Sequence, residues 1–117
     1  MSDQDLVLLE RQENGVAVVT LNSPKVNALS TQLLGRLLEV AQELTSHPAG
    51  AVVVTCGDRL FAAGADISQF GGADDARRIG GAFHAALNAV ASVNFKIEET
   101  VVAYKSTLVP LFAAVIP

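Results

Sequence analysis

The segment from Ala51 to Ile67 constrains the chain more than any other. Ala51-Val52-Val53-Val54-Thr55-Cys56 is a short apolar run rich in β-branched residues, and it reads as a buried strand. Gly57-Asp58-Arg59 reads as a turn, leading into Leu60-Phe61-Ala62-Ala63-Gly64-Ala65-Asp66-Ile67, a stretch of small residues ahead of a helical pattern. A strand that passes through small residues into a helix start lets backbone N–H groups approach a ligand, because little side chain stands in the way. Asp66 and Gln69 have the spacing of a capping box, with Asp66 as the N-cap and Gln69 at the third helical position. That arrangement predicts Ala65 at the positive end of a helix, its N–H aimed at a developing negative charge.

The flanking sequence supplies the frame. Leu6 to Gln12 has strand character, Glu13-Asn14-Gly15 is a hairpin turn signal, and Val16 to Leu21 is the return strand. Ser23-Pro24 ends that strand, since proline cannot donate to a ladder. Lys25 to Leu29 is expected to be a short connection, after which Ser30 is a good N-cap for a helix to about Ser46. Leu33, Leu34, Leu37, Leu38, Ala41 and Leu44 share one face of it, with Arg36, Glu39, Gln42 and Glu43 turned away. His47-Pro48-Ala49-Gly50 stops the helix before the Val52–Val54 run. Strand, helix, strand in that order predicts a crossover unit with parallel strands, hence an α/β fold.

Downstream, Gly71-Gly72 breaks the helical pattern and Asp74-Asp75 opens a second long helix. Ala76, Ile79, Ala82, Phe83, Ala86, Leu87, Val90 and Ala91 recur at three- and four-residue steps, to about residue 92. Gly80-Gly81 weakens that helix, each glycine by about 1 kcal/mol relative to alanine, unless close packing requires it. From Asn94 onward the pattern is ambiguous. Ile97 to Tyr104 fits either a strand or a helix end, and Leu108 to Pro117 is an apolar run interrupted by Pro110.

A chain of 117 residues is one domain on size grounds. Half of its residues are hydrophobic and only 17% are charged, so it either packs efficiently or leaves apolar surface for a partner. A net charge of −4 with no basic stripe argues against nucleic acid as a partner, and Arg77-Arg78 reads as a solvated helix face. The single cysteine, Cys56, excludes an internal disulfide and reads as a small buried hydrophobe. His84 reads as a partly buried packing residue and His47 as a cation at a helix C-terminus. The acidic N-terminus lacks the basic region of a signal peptide, and the apolar runs are too short to span a bilayer. A soluble cytoplasmic protein with no membrane partner is the expectation. The sequence contains no Walker loop, dinucleotide fingerprint, nucleophile elbow, His-Glu-x-x-His or paired Cys-x-x-Cys.

Phe61-Ala62-Ala63-Gly64-Ala65-Asp66-Ile67 resembles the signature loop of the crotonase superfamily, the enoyl-CoA hydratase/isomerase enzymes. A second, upstream stretch resembles it too: Val18-Val19-Thr20-Leu21-Asn22-Ser23-Pro24 leading into Asn27-Ala28-Leu29-Ser30. The resemblance covers roughly residues 6 to 92. It implies that residues 1–92 form the N-terminal part of a crotonase-like ββα spiral, truncated, with residues 93–117 a divergent tail.

The resemblance also implies a chemistry. The substrate would be an acyl thioester of coenzyme A, with no separate cofactor, and charge building up on the thioester oxygen would be held by two backbone N–H donors. Ala65 would supply the first. Ala63, Gly64, Asp66 and Ile67 would line the coenzyme A path, and Val26 and Ala28 would form the facing wall. Lys25 is placed to meet a coenzyme A phosphate, or is an ordinary exposed lysine; Asp66 has a second reading as a helix cap that meets ligand through its backbone alone. In the family the second donor comes from a Gly-Gly-Gly loop after the next buried strand, and glutamates supply acid and base. Neither is matched here, where the chain reads Ser92-Val93-Asn94-Phe95-Lys96-Ile97-Glu98-Glu99 and the two glutamates read as solvated surface. Little or no hydratase activity is therefore expected of this chain. A family-type trimer or hexamer is implied for a full-length member. The alternatives are a non-catalytic binding or assembly module and a functionless truncated product. Hydratase, isomerase and other crotonase reactions are not distinguished, nor is acyl-chain length.

Overall fold

In the computed structural model, residues 2–56 and 60–95 are described. β1 (Val7–Arg11) and β2 (Val16–Leu21) form the expected antiparallel hairpin, with Val7 opposite Leu21 and Arg11 opposite Ala17. The turn needs a left-handed residue, and Gly15 supplies it at φ +86°. Asn14 Oδ1 accepts the Val16 N–H at 3.1 Å, and the Gly15 N–H closes on the Gln12 carbonyl at 3.1 Å.

The stretch Lys25–Leu29, expected to be a plain connection, holds two small elements. α1 (Pro24–Asn27) is a single irregular turn in which Lys25 and Asn27 take positive φ, at +64° and +51°. β3 (Ala28–Leu29) follows directly. α2 (Thr31–Ser46) then starts where Ser30 predicts, its hydroxyl accepting the Leu33 N–H at 3.1 Å. β4 (Ala51–Thr55) returns parallel to β2, with Val16 opposite Ala51 and Thr20 opposite Thr55, so the crossover expectation holds. The resulting sheet runs in the order β1-β2-β4. β5 (Gly64–Ala65) pairs parallel with β3 in a separate two-stranded ladder. α3 (Ala73–Ala91) packs against α2.

One face of the sheet carries the core. Val7, Ala17, Val19, Leu21 and Val52 are buried there against Leu33, Leu34, Leu37, Val40, Ala41 and Leu44 of α2 and Ala86 and Val90 of α3. Val40 was not on the expected face of α2, and Leu38, which was, is only half-buried. The run 51–56 is not buried throughout: Val53 is 44% exposed because it pairs with Val18 on the sheet's other face, and Cys56 is half-buried. On α3, Ala76 and Ala91 are exposed, as is His84, which does not join the core. Gly80 and Gly81 leave open space for a Cβ, so close packing does not explain them.

Arg77 and Arg78 sit on the solvated side of α3 beside Asp74 and Asp75 one turn earlier. After α3, Val93 enters the core and Phe95 makes a parallel bridge with Ala49, two residues before β4. The turn Gly57-Asp58-Arg59, the pair Glu98 and Glu99, the Ile97–Tyr104 segment and the Leu108–Pro117 run lie outside the described residues.

Candidate functional site

The two matched sequence stretches meet in the β3–β5 ladder. Ala28 lies opposite Gly64 and Leu29 opposite Ala65. The Ala63 N–H is shared between the carbonyls of Val26, at 3.1 Å, and Asn27, at 3.4 Å, and the Asp66 N–H donates to the Leu29 carbonyl at 3.3 Å. Gly64, in left-handed backbone, interrupts the alternation between Ala63 and Ala65, and from Ala65 onward successive N–H groups point to opposite sides. With the Asp66 N–H turned toward β3, the Ala65 N–H is turned away from it. Gly64 makes the approach possible with a φ of +102°, a conformation that side-chain-bearing residues rarely adopt.

This corrects the origin of that orientation. No long helix follows Asp66; there is one 3-10 turn, Ile67–Gln69, too short to build a macrodipole. Asp66 does cap it, with Oδ1 accepting the Ser68 N–H at 3.1 Å and the Ser68 hydroxyl at 2.6 Å. The capping box does not form, because Gln69 is used elsewhere. Its Oε1 accepts the Thr31 N–H at 2.9 Å, at the first turn of α2, and its Nε2 donates to Gln32 Oε1 at 2.8 Å. Gln69 therefore ties the end of the loop to the start of α2. Strand pairing, not a helix end, sets the direction of the Ala65 N–H.

The remaining site residues surround this ladder unequally. Val26 is 48% exposed and Ile67 85% exposed, and Leu60, Phe61 and Phe70 are also exposed, so the loop has an apolar rim. Ala28, Gly64 and Asp66 are half-buried, and Ala63 and Lys25 are exposed. The sequence alone does not reveal the side chains that hold the loop in place: Gln69, whose spacing suggests a capping box, and Asn27, which stands within the upstream motif. The signal available for Asn27 was its type, since asparagine is among the few residues that tolerate left-handed backbone. Among the described residues no three His, Cys, Asp or Glu side chains come together as metal ligands, and no helix is long and apolar enough to cross a membrane.

A parallel β–α–β crossover carrying a small-residue loop on a second, two-stranded ladder places the chain among crotonase folds. A solved structure titled as an enoyl-CoA hydratase from Mycobacterium smegmatis superposes with a TM-score of 0.70 at 28% identity, covering 75% of this chain and 36% of that one. The family profile described as Enoyl-CoA hydratase/isomerase matches residues 11–104, and the chain belongs to that family. The Mycobacterium tuberculosis protein named "Probable enoyl-CoA hydratase echA8" is 39% identical over 67 residues, which is 56% of this chain and 26% of that protein. The mitochondrial enoyl-CoA hydratase of Pongo abelii is 43% identical over 60 residues, 50% of this chain and 21% of that enzyme. The aligned part thus spans about a quarter of the length of these relatives.

Proposed function

We propose that this chain binds an acyl-CoA thioester and holds its carbonyl oxygen with the Ala65 N–H as an enolate-like charge develops. The observation that supports this is the loop geometry: in the matched signature stretch, the Ala65 N–H is turned away from the β3 ladder, with small residues on either side. A fixed N–H needs no reorganisation when charge appears on the oxygen, and loss of one such donor typically costs about 10²–10³ in rate. Ala63, Gly64, Asp66 and Ile67 then line the path of the coenzyme A moiety, with Val26 and Ala28 opposite. The exposed apolar rim suits the pantetheine and acyl portions, whose burial would remove Ile67 and Val26 from water. Lys25 is assigned to the phosphates.

Hydration needs more than this. A second N–H must complete the oxyanion hole, and two carboxylates must act on one water as base and acid. Calorimetric titration of the 117-residue chain with crotonyl-CoA, with coenzyme A as the control, tests the binding step. The expected result is binding of the thioester with turnover at background. Failure to bind any acyl-CoA would overturn the proposal. Rapid loss of the enoyl absorbance would instead place a working acid/base pair within these residues.

A further inference from the structure

Asn27 is the buried polar residue among the described residues, with no exposed surface, and its backbone lies at φ +51°. Both ends of its amide are engaged. Oδ1 accepts the Ser23 N–H at 2.7 Å, and Nδ2 donates to the Leu60 carbonyl at 3.0 Å. The first bond closes the irregular turn that carries Lys25 and Val26. The second crosses to the incoming chain five residues ahead of Ala65. The Asn27 carbonyl itself lies 3.4 Å from the Ala63 nitrogen, and the next two residues are β3. One residue therefore grips both chains at the entrance to the β3–β5 ladder.

We infer that Asn27 is a positioning residue for the Ala65 N–H, acting through the turn before β3 and through the Leu60 carbonyl. Fixing Ser23 sets the phase with which Ala28 and Leu29 enter the ladder. Fixing Leu60 sets where the opposite strand begins. Together they determine which way Ala65 faces when it reaches its place opposite Leu29. The purpose of this device rests on the thioester reading above; its geometry does not.

The residue type is demanding. Aspartate keeps the acceptor for Ser23 but sets a carboxylate oxygen against the Leu60 carbonyl oxygen. Glycine accepts the left-handed backbone but removes the side-chain partners of the Ser23 N–H and the Leu60 oxygen, both in part-buried bonds. Alanine loses both bonds and adds backbone strain.

Amide hydrogen exchange, read residue by residue by NMR on the 117-residue chain, tests the inference in Asn27→Gly and Asn27→Asp. The Ala63 and Asp66 amides are expected to exchange about ten-fold faster in both variants, as for loss of a hydrogen bond worth about 1 kcal/mol net, while Val18 and Val19 of β2 keep their rates. The Ser23 amide should remain protected in Asn27→Asp and lose protection in Asn27→Gly. Unchanged rates at Ala63 and Asp66 would overturn the inference. So would a uniform acceleration that includes β2 in both variants, since that is a role in overall stability alone. Titration with crotonyl-CoA separates the two proposals. The Ala65 amide resonance of the unaltered chain should move on binding and should move several-fold less in the variants. Equal movement in all three would overturn the positioning role. No movement of Ala65 in the unaltered chain, with the exchange pattern as expected, would sink the thioester reading and leave the positioning role standing.

Discussion

Replacing Gln69 with leucine separates two accounts of the loop. Leucine keeps much of the side-chain volume and removes the amide. The Thr31 N–H belongs to the first turn of α2, whose N–H groups have no partner within the helix. Ser30 covers Leu33 and Gln69 covers Thr31, the latter at 2.9 Å in a half-buried site. Loss of that bond costs about 1 kcal/mol net, and the exposed bond to Gln32 adds a few tenths. The total of about 1–1.5 kcal/mol is a factor of roughly 5–13 in the unfolding constant. With an m-value of about 1.5 kcal/mol/M, the urea midpoint should fall by about 0.7–1 M. Hydrogen exchange should loosen at Thr31. In a capping box, Gln69 would instead reach back to the Asp66 N–H, which in this fold is bonded to Leu29. A midpoint shift below about 0.2 M, or loosening at Asp66 with Thr31 unchanged, would refute the reasoning.

Other outcomes follow from single features. Gly81→Ala should stabilise the chain by up to about 1 kcal/mol in thermal or urea unfolding, because α3 leaves open space there and alanine is the better helix former. Asp5 has its pKa lowered by hydrogen bonds from the Ser2 backbone N–H and hydroxyl. A carboxylate held lower in the folded chain stabilises it above the unfolded pKa, and that contribution is lost as pH falls through the folded value. Asp5→Asn should therefore narrow the gap in stability between neutral pH and pH below about 4, as measured by urea midpoints across that range.

The larger elements were legible because each carried its own physical signal. Asn14-Gly15 fixed the hairpin, Ser30 fixed the start of α2, and the strand–helix–strand order implied a parallel return. The two-residue strands β3 and β5 carried none, since two residues are too few to show a period. Their pairing joins segments more than thirty residues apart, and it carries the candidate site. The capping-box spacing at Asp66 and Gln69 was half right. Asp66 caps locally, but Gln69 finds a better partner in the unsatisfied N–H of Thr31, a contact that depends on tertiary packing. Helical spacing could not decide His84 either, because α3 buries a narrower stripe than its apolar residues suggest. Val53 shows the same limit on the sheet: β-branched residues on consecutive positions do not reveal which face is covered.

The most direct test of the central claim is the carbonyl ¹³C shift of crotonyl-CoA labelled at the thioester carbon, bound to the unaltered chain and to Ala65→Pro. Proline removes the N–H. The Asp66 N–H, which bonds β3, is retained, so the ladder can survive the change. The expected result is a downfield shift on binding to the unaltered chain, from polarisation by the Ala65 N–H, that disappears in Ala65→Pro while binding persists. An equal shift with both proteins would contradict the claim that Ala65 supplies the oxyanion donor.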